Sequence, residues 1–310
     1  MKERVAIMQT FALALLACIC LPGTATAQSA QAAPGSERPM FTRFRGQMRQ
    51  PKNAIEAATS PLTTWNGSFM SGGTTYNYNM VGTAPSTGAS TTVQVELIPV
   101  KIVITPRHGS KVTFDPSHVL SNGLTVTNST IQSPIFTGIP FTSGGVSMGT
   151  TQYVDAYQRA NFWGTVQSHT GYHVLLGSPI VEPVQTLSPP SRSGKTGTVF
   201  GFNAGLVDIN WFDSQLHTIM TNLGISPNTF PIFLTYDVYL TQNNSCCIGG
   251  YHSSFGLVSA PQSYAHATYV DHPTFAQDVS ALSHEVGEWM DDPLVVNVNG
   301  NNTQIGRAHV

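Results

Sequence analysis

Residues 283–293, Ser283-His284-Glu285-Val286-Gly287-Glu288-Trp289-Met290-Asp291-Asp292-Pro293, join a His-Glu-x-x-Glu spacing to an apolar stripe and an acidic stop. At about 3.6 residues per turn, Glu288 lies about 40° round a helix from His284, so an imidazole and a carboxylate one turn apart can hold the same ion. Glu285, about 100° away, is left for another task. Val279, Leu282, Val286 and Met290 recur at helical spacing, which predicts a helix over Gln277 to Asp292 that Pro293 ends. The alternative is an exposed helix whose His and two Glu face water. The clustering of His, Glu and Asp in a chain with only 10% charged residues favours a functional helix.

The segment resembles the active-site helix of zincin-type metallopeptidases. Its longer form, His-Glu-x-x-Glu followed by Asp-Pro, resembles a secreted variant with Glu in place of the second His. Gly250-Tyr251-His252, upstream of the helix, is similar to an element of the Exordium-like secreted proteins. The resemblance spans residues 246–293. It implies that His284 and Glu288 bind a metal, that Glu285 is the general base, and that Asp292 is the third ligand or its support. Zinc is the ion implied, although a Glu for the second His makes the site oxygen-rich and leaves iron, manganese or another divalent metal open.

The choice of Asp turns on geometry. On a continued helix Asp291 would lie about 20° from His284 and Asp292 about 80°. Pro293 reverses that order, because the residue before a proline is pushed out of the helical region. Asp292 is therefore the expected ligand and Asp291 its rival, capping the helix or facing solvent. His252 is expected to support the ligands from its Gly-Tyr-His setting. His266 and His272, flanking the last strand, could come near the ion but read as surface groups in a polar loop, and His169 and His173, beside aromatic residues, read as core or surface packing.

Met1-Lys2-Glu3-Arg4, the apolar run Val5 to Leu21 and Ala25-Thr26-Ala27 have the form of an export signal cleaved before Gln28. Leu15-Leu16-Ala17-Cys18 is a rival, lipoprotein-like cut. The run is marginal for spanning a bilayer, so no stable membrane insertion is expected. Of the four Cys, Cys18 and Cys20 fall in the signal, leaving the adjacent Cys246 and Cys247. In an oxidising compartment these pair with each other, bridge other chains or stay free, either stiffening a loop beside the site or serving the loop alone. Removing the signal leaves 12 of 14 basic and 15 of 16 acidic residues, a net charge of about −3 that argues against a nucleic-acid partner.

Low charge with 28 Gly and 20 Pro belongs to an exported, turn-rich and largely β protein. Residues 28–61 read as a flexible linker or pro-like segment carrying Arg38, Arg43, Arg45, Arg49 and Lys52. Residues 62–150 read as a β-rich region, and strands are expected over Thr92 to Ile104, Tyr172 to Ile180, Phe230 to Leu240 and Tyr264 to Val270. Helices are expected over Tyr153 to Phe162 and Asp213 to Leu223. The fold class expected is α+β, a β-rich N-terminal half followed, over residues 151–304, by a mixed-sheet region that the resemblance makes zincin-like. Ile305-Gly306-Arg307-Ala308-His309-Val310 matches the translation of a common sequencing-library adapter, so residues 305–310 are expected to be read-through and the metal-binding region C-terminally truncated. The function expected is an exported metal-dependent hydrolase acting on peptide or protein, the alternative being a secreted or cell-surface binding protein with a structural or vestigial metal site.

Overall fold

The β-branched and aromatic runs form strands, and turn residues cut them into short lengths. A computed structural model describes residues 48–49 and 61–295 apart from 244, 258–259 and 275–276. In chain order these form β1 (Met48–Arg49), β2 (Thr64–Ser71), β3 (Thr74–Val81), β4 (Ser90–Val93), β5 (Val95–Ile104), β6 (Val112–Phe114) and α1 (Val126–Ile131). There follow β7 (Ile139–Ser143), β8 (Val146–Thr151), α2 (Tyr153–Asn161), α3 (Trp163–Val166), β9 (His173–Leu176), β10 (Ile180–Val181) and β11 (Gln185–Leu187). The remainder is β12 (Gly194–Val199), β13 (Phe202–Asp208), α4 (Ile209–Leu223), β14 (Phe230–Tyr236), β15 (Val238–Gln242), β16 (Ser245–Ile248), β17 (Gly250–Leu257), β18 (Ala260–Tyr269) and α5 (Ser280–Asp291).

The fold is α+β with mixed sheets. The main sheet has the order β1-β17-β18-β14-β5-β10, with β6 and β11 also on β5. β18, β14 and β5 run parallel at its centre, and β17 returns antiparallel along β18. A second sheet has the order β12-β13-β15-β16. Because β5 pairs directly with β14, residue 150 marks no packing boundary, and the described residues all lie in one compact unit, Arg38–Val310.

The two-residue period of the strands sorts the core onto two faces. Val95, Leu97, Phe230, Ile232, Leu234, Ala265 and Ala267 pack with Leu282, Val286, Trp289 and Met290 of α5. Ile98, Val100, Phe233 and Tyr264 pack with Phe212, Leu216, Ile219 and Met220 of α4. Trp289 stacks on Phe230 with centroids 3.7 Å apart and donates from Nε1 to Ser263 Oγ at 3.0 Å, fixing α5 along the sheet.

Several expectations shift. α4 starts four residues before Asp213, because the Asp208 carboxylate caps it by accepting from the Trp211 N–H. The run Phe230 to Leu240 is two strands broken at Asp237, whose φ is 52°, and Tyr172 to Ile180 yields β9 and the start of β10. Within the stretch read as a linker, Met48–Arg49 pair in parallel with Gly256–Leu257 of β17. The rest of that stretch to residue 60, the export signal over residues 1–27 and the hexapeptide 305–310 lie outside the described residues. No described helix is long and apolar enough to cross a membrane.

His266 is not a surface group. It sits in β18 on the α4 face, fully buried, with Nε2 3.0 Å from Thr235 Oγ1 and its ring against Phe212. Burial pushes its pKa down to about 3. The folded chain holds the ring neutral while the unfolded chain protonates it below about pH 6.5. Its contribution to stability is therefore present above that pH and is lost as pH falls toward about 3, with a slope of at most about 1.4 kcal/mol per pH unit. Urea unfolding across the acid range is expected to show a shallower pH slope for His266→Gln than for the wild type, and equal slopes would refute this assignment.

Candidate metal centre

β17 and β18 place the site. Opposite residues of an antiparallel pair share a face, and the register sets Gly250 against Ala267, His252 against Ala265 and Ser254 against Ser263. Ala265 and Ala267 face α5, so Gly250, His252 and Ser254 do too. Each meets the helix or the chain just beyond it. Gly250 lies under Glu285, His252 reaches Glu285 and Glu288, and Ser254 Oγ donates to the Leu294 carbonyl at 2.8 Å.

His252 Nδ1 lies 3.3 Å from Glu285 Oε2 and 3.7 Å from Glu288 Oε2. His284 Nε2 lies 3.2 Å from Glu288 Oε1. His252 and Glu285 are buried, whereas the His284 and Glu288 side chains are 27% and 13% exposed, so the cluster opens to solvent on one side. Donor atoms of His252, Glu285 and Glu288 all lie within 4.8 Å of one another. Among the described residues, neither His284 nor Asp292 completes a set of three within that distance. Glu285 and Glu288 converge with His252, and His284 joins through Glu288.

Burial, followed by repulsion from Glu288, holds the Glu285 pKa well above the usual carboxylate range, opposed by the backbone N–H of His252. Glu285 Oε1 is shielded from solvent and has no hydrogen-bond partner. An ionised carboxylate in that position costs several kcal/mol unless a proton or a cation compensates it. Glu288, with His252 on one oxygen and His284 on the other, offers oxygen and nitrogen donors suited to a divalent transition ion with Glu285 beside them, so the residues present fit the metal that the motif implies.

The acidic stop divides as Pro293 requires. Asp292 leaves the helix at φ −157° and is buried, its backbone N–H still donating to the Glu288 carbonyl at 2.9 Å. Asp291 neither caps the helix nor faces open solvent. Its Oδ1 accepts from Gln158 Nε2 at 3.0 Å and its Oδ2 from Tyr157 OH at 3.3 Å, which ties α5 to α2. Burial foremost, then repulsion by Glu288 and Asp292, raises the Asp291 pKa to about 7, although the bonds from Tyr157 and Gln158 oppose the rise. Cys246 and Cys247 form a disulfide with each other inside β16, which pairs with β15 in the second sheet. They are therefore part of a strand, not of a loop beside the site.

Sequence reasoning placed His252 as a support and missed β17 itself. The available signal was the small residue two before it, since only Gly at 250 leaves room for the Glu285 side chain. Comparison with protein-family models, with curated proteins and with solved structures gives no match.

A Cβ at Gly250 would fall 2.8 Å from Glu285 Cγ and 2.9 Å from the His266 carbonyl oxygen, and the second of these is backbone that cannot swing aside. Gly250→Ala is expected to destabilise the fold by about 1–3 kcal/mol, the usual cost of overpacking, and to weaken metal binding. Chemical unfolding and metal titration of the purified variant would check both, and wild-type behaviour in each would refute the close packing of Gly250 on Glu285.

Proposed function

We propose that this chain is an exported metal-dependent hydrolase, a zincin-like peptidase with zinc or another divalent ion held at α5. The observation that carries this reading is the buried Glu285 carboxylate, with Oε1 unpartnered and Oε2 beside His252, in a cluster open through Glu288 and His284. Glu288 is the natural centre of the ligand set, since its two oxygens reach His252 on one side and His284 on the other. His252, with Nδ1 3.7 Å from Glu288 Oε2, is the third ligand in this reading, and Asp292 supports the end of the helix. Export is supported by the pattern of residues 1–27, and the Cys246–Cys247 disulfide suits an oxidising compartment.

A bound ion would supply a Lewis acid that polarises a peptide carbonyl and acidifies water. Glu285 would act beside it. A carboxylate whose pKa is raised by burial takes a proton from attacking water more readily than an exposed Glu, holds it, and returns it to a leaving amine. His252, fixed in β17, orients that carboxylate through Nδ1. A non-catalytic reading, a secreted binding protein with a structural ion, is favoured by one observation: His252 and Glu285 are buried, as donors of closed structural sites are.

Glu285→Gln separates the readings. In the hydrolase, turnover of a peptide substrate library is expected to fall by about 10²–10⁴-fold while elemental analysis still finds the metal. Folded wild-type protein that binds zinc without any turnover would favour the structural reading. Folded wild type that binds no divalent ion would overturn both.

A further inference from the structure

Asp237, at the break between β14 and β15, and Asp271-His272, just past β18, are brought together by strand register. β14 and β18 run parallel with Tyr236 opposite Tyr269, so the residues that follow each strand emerge at the same carboxyl edge of the main sheet. Carboxyl edges of parallel strands are where open mixed and parallel sheets place ligands. The Asp237 N–H donates to the Tyr269 carbonyl at 3.0 Å, and the Gly205 N–H to the Asp237 carbonyl at 2.9 Å, which pins Asp237 between the two sheets.

The side chains converge there. Donor atoms of Asp237, Asp271 and His272 all lie within 4.8 Å of one another. His272 Nε2 lies 3.2 Å from Asp237 Oδ2 and 3.5 Å from Asp271 Oδ1, and its ring stacks on Phe202 at 4.1 Å. Tyr236 OH donates to Asp271 Oδ2 at 3.1 Å, and His118 Nε2 lies 3.9 Å from that same oxygen. Asp237 is only 5% exposed, yet its Oδ1 is shielded from solvent with no hydrogen-bond partner, although it belongs to the carboxylate that reaches His272. Asp271 Oδ1 is also shielded without a hydrogen bond. No Lys or Arg forms a salt bridge with either Asp among the described residues. Two adjacent carboxylates, one facing His272 and the other both His272 and the more distant His118, each keep an oxygen with no hydrogen-bond donor, a place for a cation.

We propose that Asp237, Asp271 and His272 form a second divalent-cation site, separate from the one at α5. The imidazole points to a first-row transition ion such as zinc or manganese, since calcium and magnesium prefer all-oxygen sets. The His272 side chain is 39% exposed and that of Asp271 28%, which leaves an open approach from solvent. The α5 centre lies elsewhere on the sheet: its His252 pairs with Ala265, four residues or about 13 Å along β18 before Tyr269. The second site needs nothing from the first.

The test uses the full chain, stripped with a chelator, re-equilibrated with zinc or with manganese alone, and analysed for metal per chain and for affinity by titration. Asp271→Asn/His272→Gln is expected to hold one ion fewer than the wild type, or to bind that ion at least about 10–100-fold more weakly, the loss seen even when only a ligand's supporting partner is removed. Glu288→Gln is expected to retain this ion, so failure of the α5 site leaves the result readable. His272→Gln alone, at an exposed ring, serves if circular dichroism shows the double variant unfolded. Metal content and affinity equal to wild type in the folded variant would overturn the proposal and leave the cluster as an internal carboxylate–imidazole pair.

Discussion

The Glu285 carboxylate has to be accommodated on the inner face of α5, and that constraint governs the surrounding structure. A helix that packs on a sheet through Leu282, Val286, Trp289 and Met290 necessarily turns some neighbouring positions inward, and Glu285 precedes Val286 on that face. An apolar strand beneath it would leave a charge with nothing to meet. β17 meets it with glycine, histidine and serine at alternate positions, so that one residue makes room, one offers a nitrogen and one holds the chain beyond the helix. A one-residue slip of β17 against β18 would send Tyr251 toward α5 and remove all three at once.

Other buried carboxylates show what a satisfied one looks like. Asp155 accepts from Thr151 Oγ1 at 2.6 Å and the Val174 N–H at 2.8 Å, with His173 Nδ1 2.8 Å from Oδ2. Asp213 on α4 receives the hydroxyls of both Tyr251 and Tyr264 on one oxygen, and His217 Nε2 stands 3.4 Å from the other. Both networks close on themselves and brace the fold, Asp155 linking α2 to β9 and Asp213 linking α4 to β17 and β18. Glu285 and Asp237 each keep a shielded oxygen with no donor. Within one chain that folds two carboxylates into complete networks, an incomplete one at a cluster of further donors is the contrast on which both proposed ion sites rest.

Local signals were legible in the sequence, and pairing between distant segments was not. α2, α5 and much of α4 follow from apolar spacing and their stops, because helix contacts are local. β17 escaped because residues 250–256 put Tyr251, Ser253 and Phe255 on the α4 face and Gly250, His252 and Ser254 on the α5 face, so that neither face is a clean apolar row and in a sequence the segment looks like a loop. His266 read as surface because polar residues usually are, and only pairing with β17 and β14 buries it. β5 pairs with β14 across more than a hundred positions and with β10 across 84, and no periodicity encodes that. Asp237 breaks an otherwise continuous strand pattern with a polar residue at φ 52°, and that interruption was legible in the sequence.

The second Glu of the motif makes sense once both imidazoles are in place. A histidine at 288 would offer one nitrogen lone pair toward an ion and serve a single direction. A carboxylate offers two oxygens, and Glu288 uses them apart, Oε1 toward His284 on the same helix and Oε2 toward His252 on the strand below. The cost is a second negative charge beside Glu285, which raises the Glu285 pKa further. That cost falls when a cation occupies the cluster, because opposite charge close by favours both ionised carboxylates. Repulsion between Glu285 and Glu288 therefore favours a proton in the cluster, and under the proposed metal-dependent reading a bound ion would take that proton's place. In that reading proton and metal would compete for the same buried oxygens, and metal affinity at this centre would rise with pH.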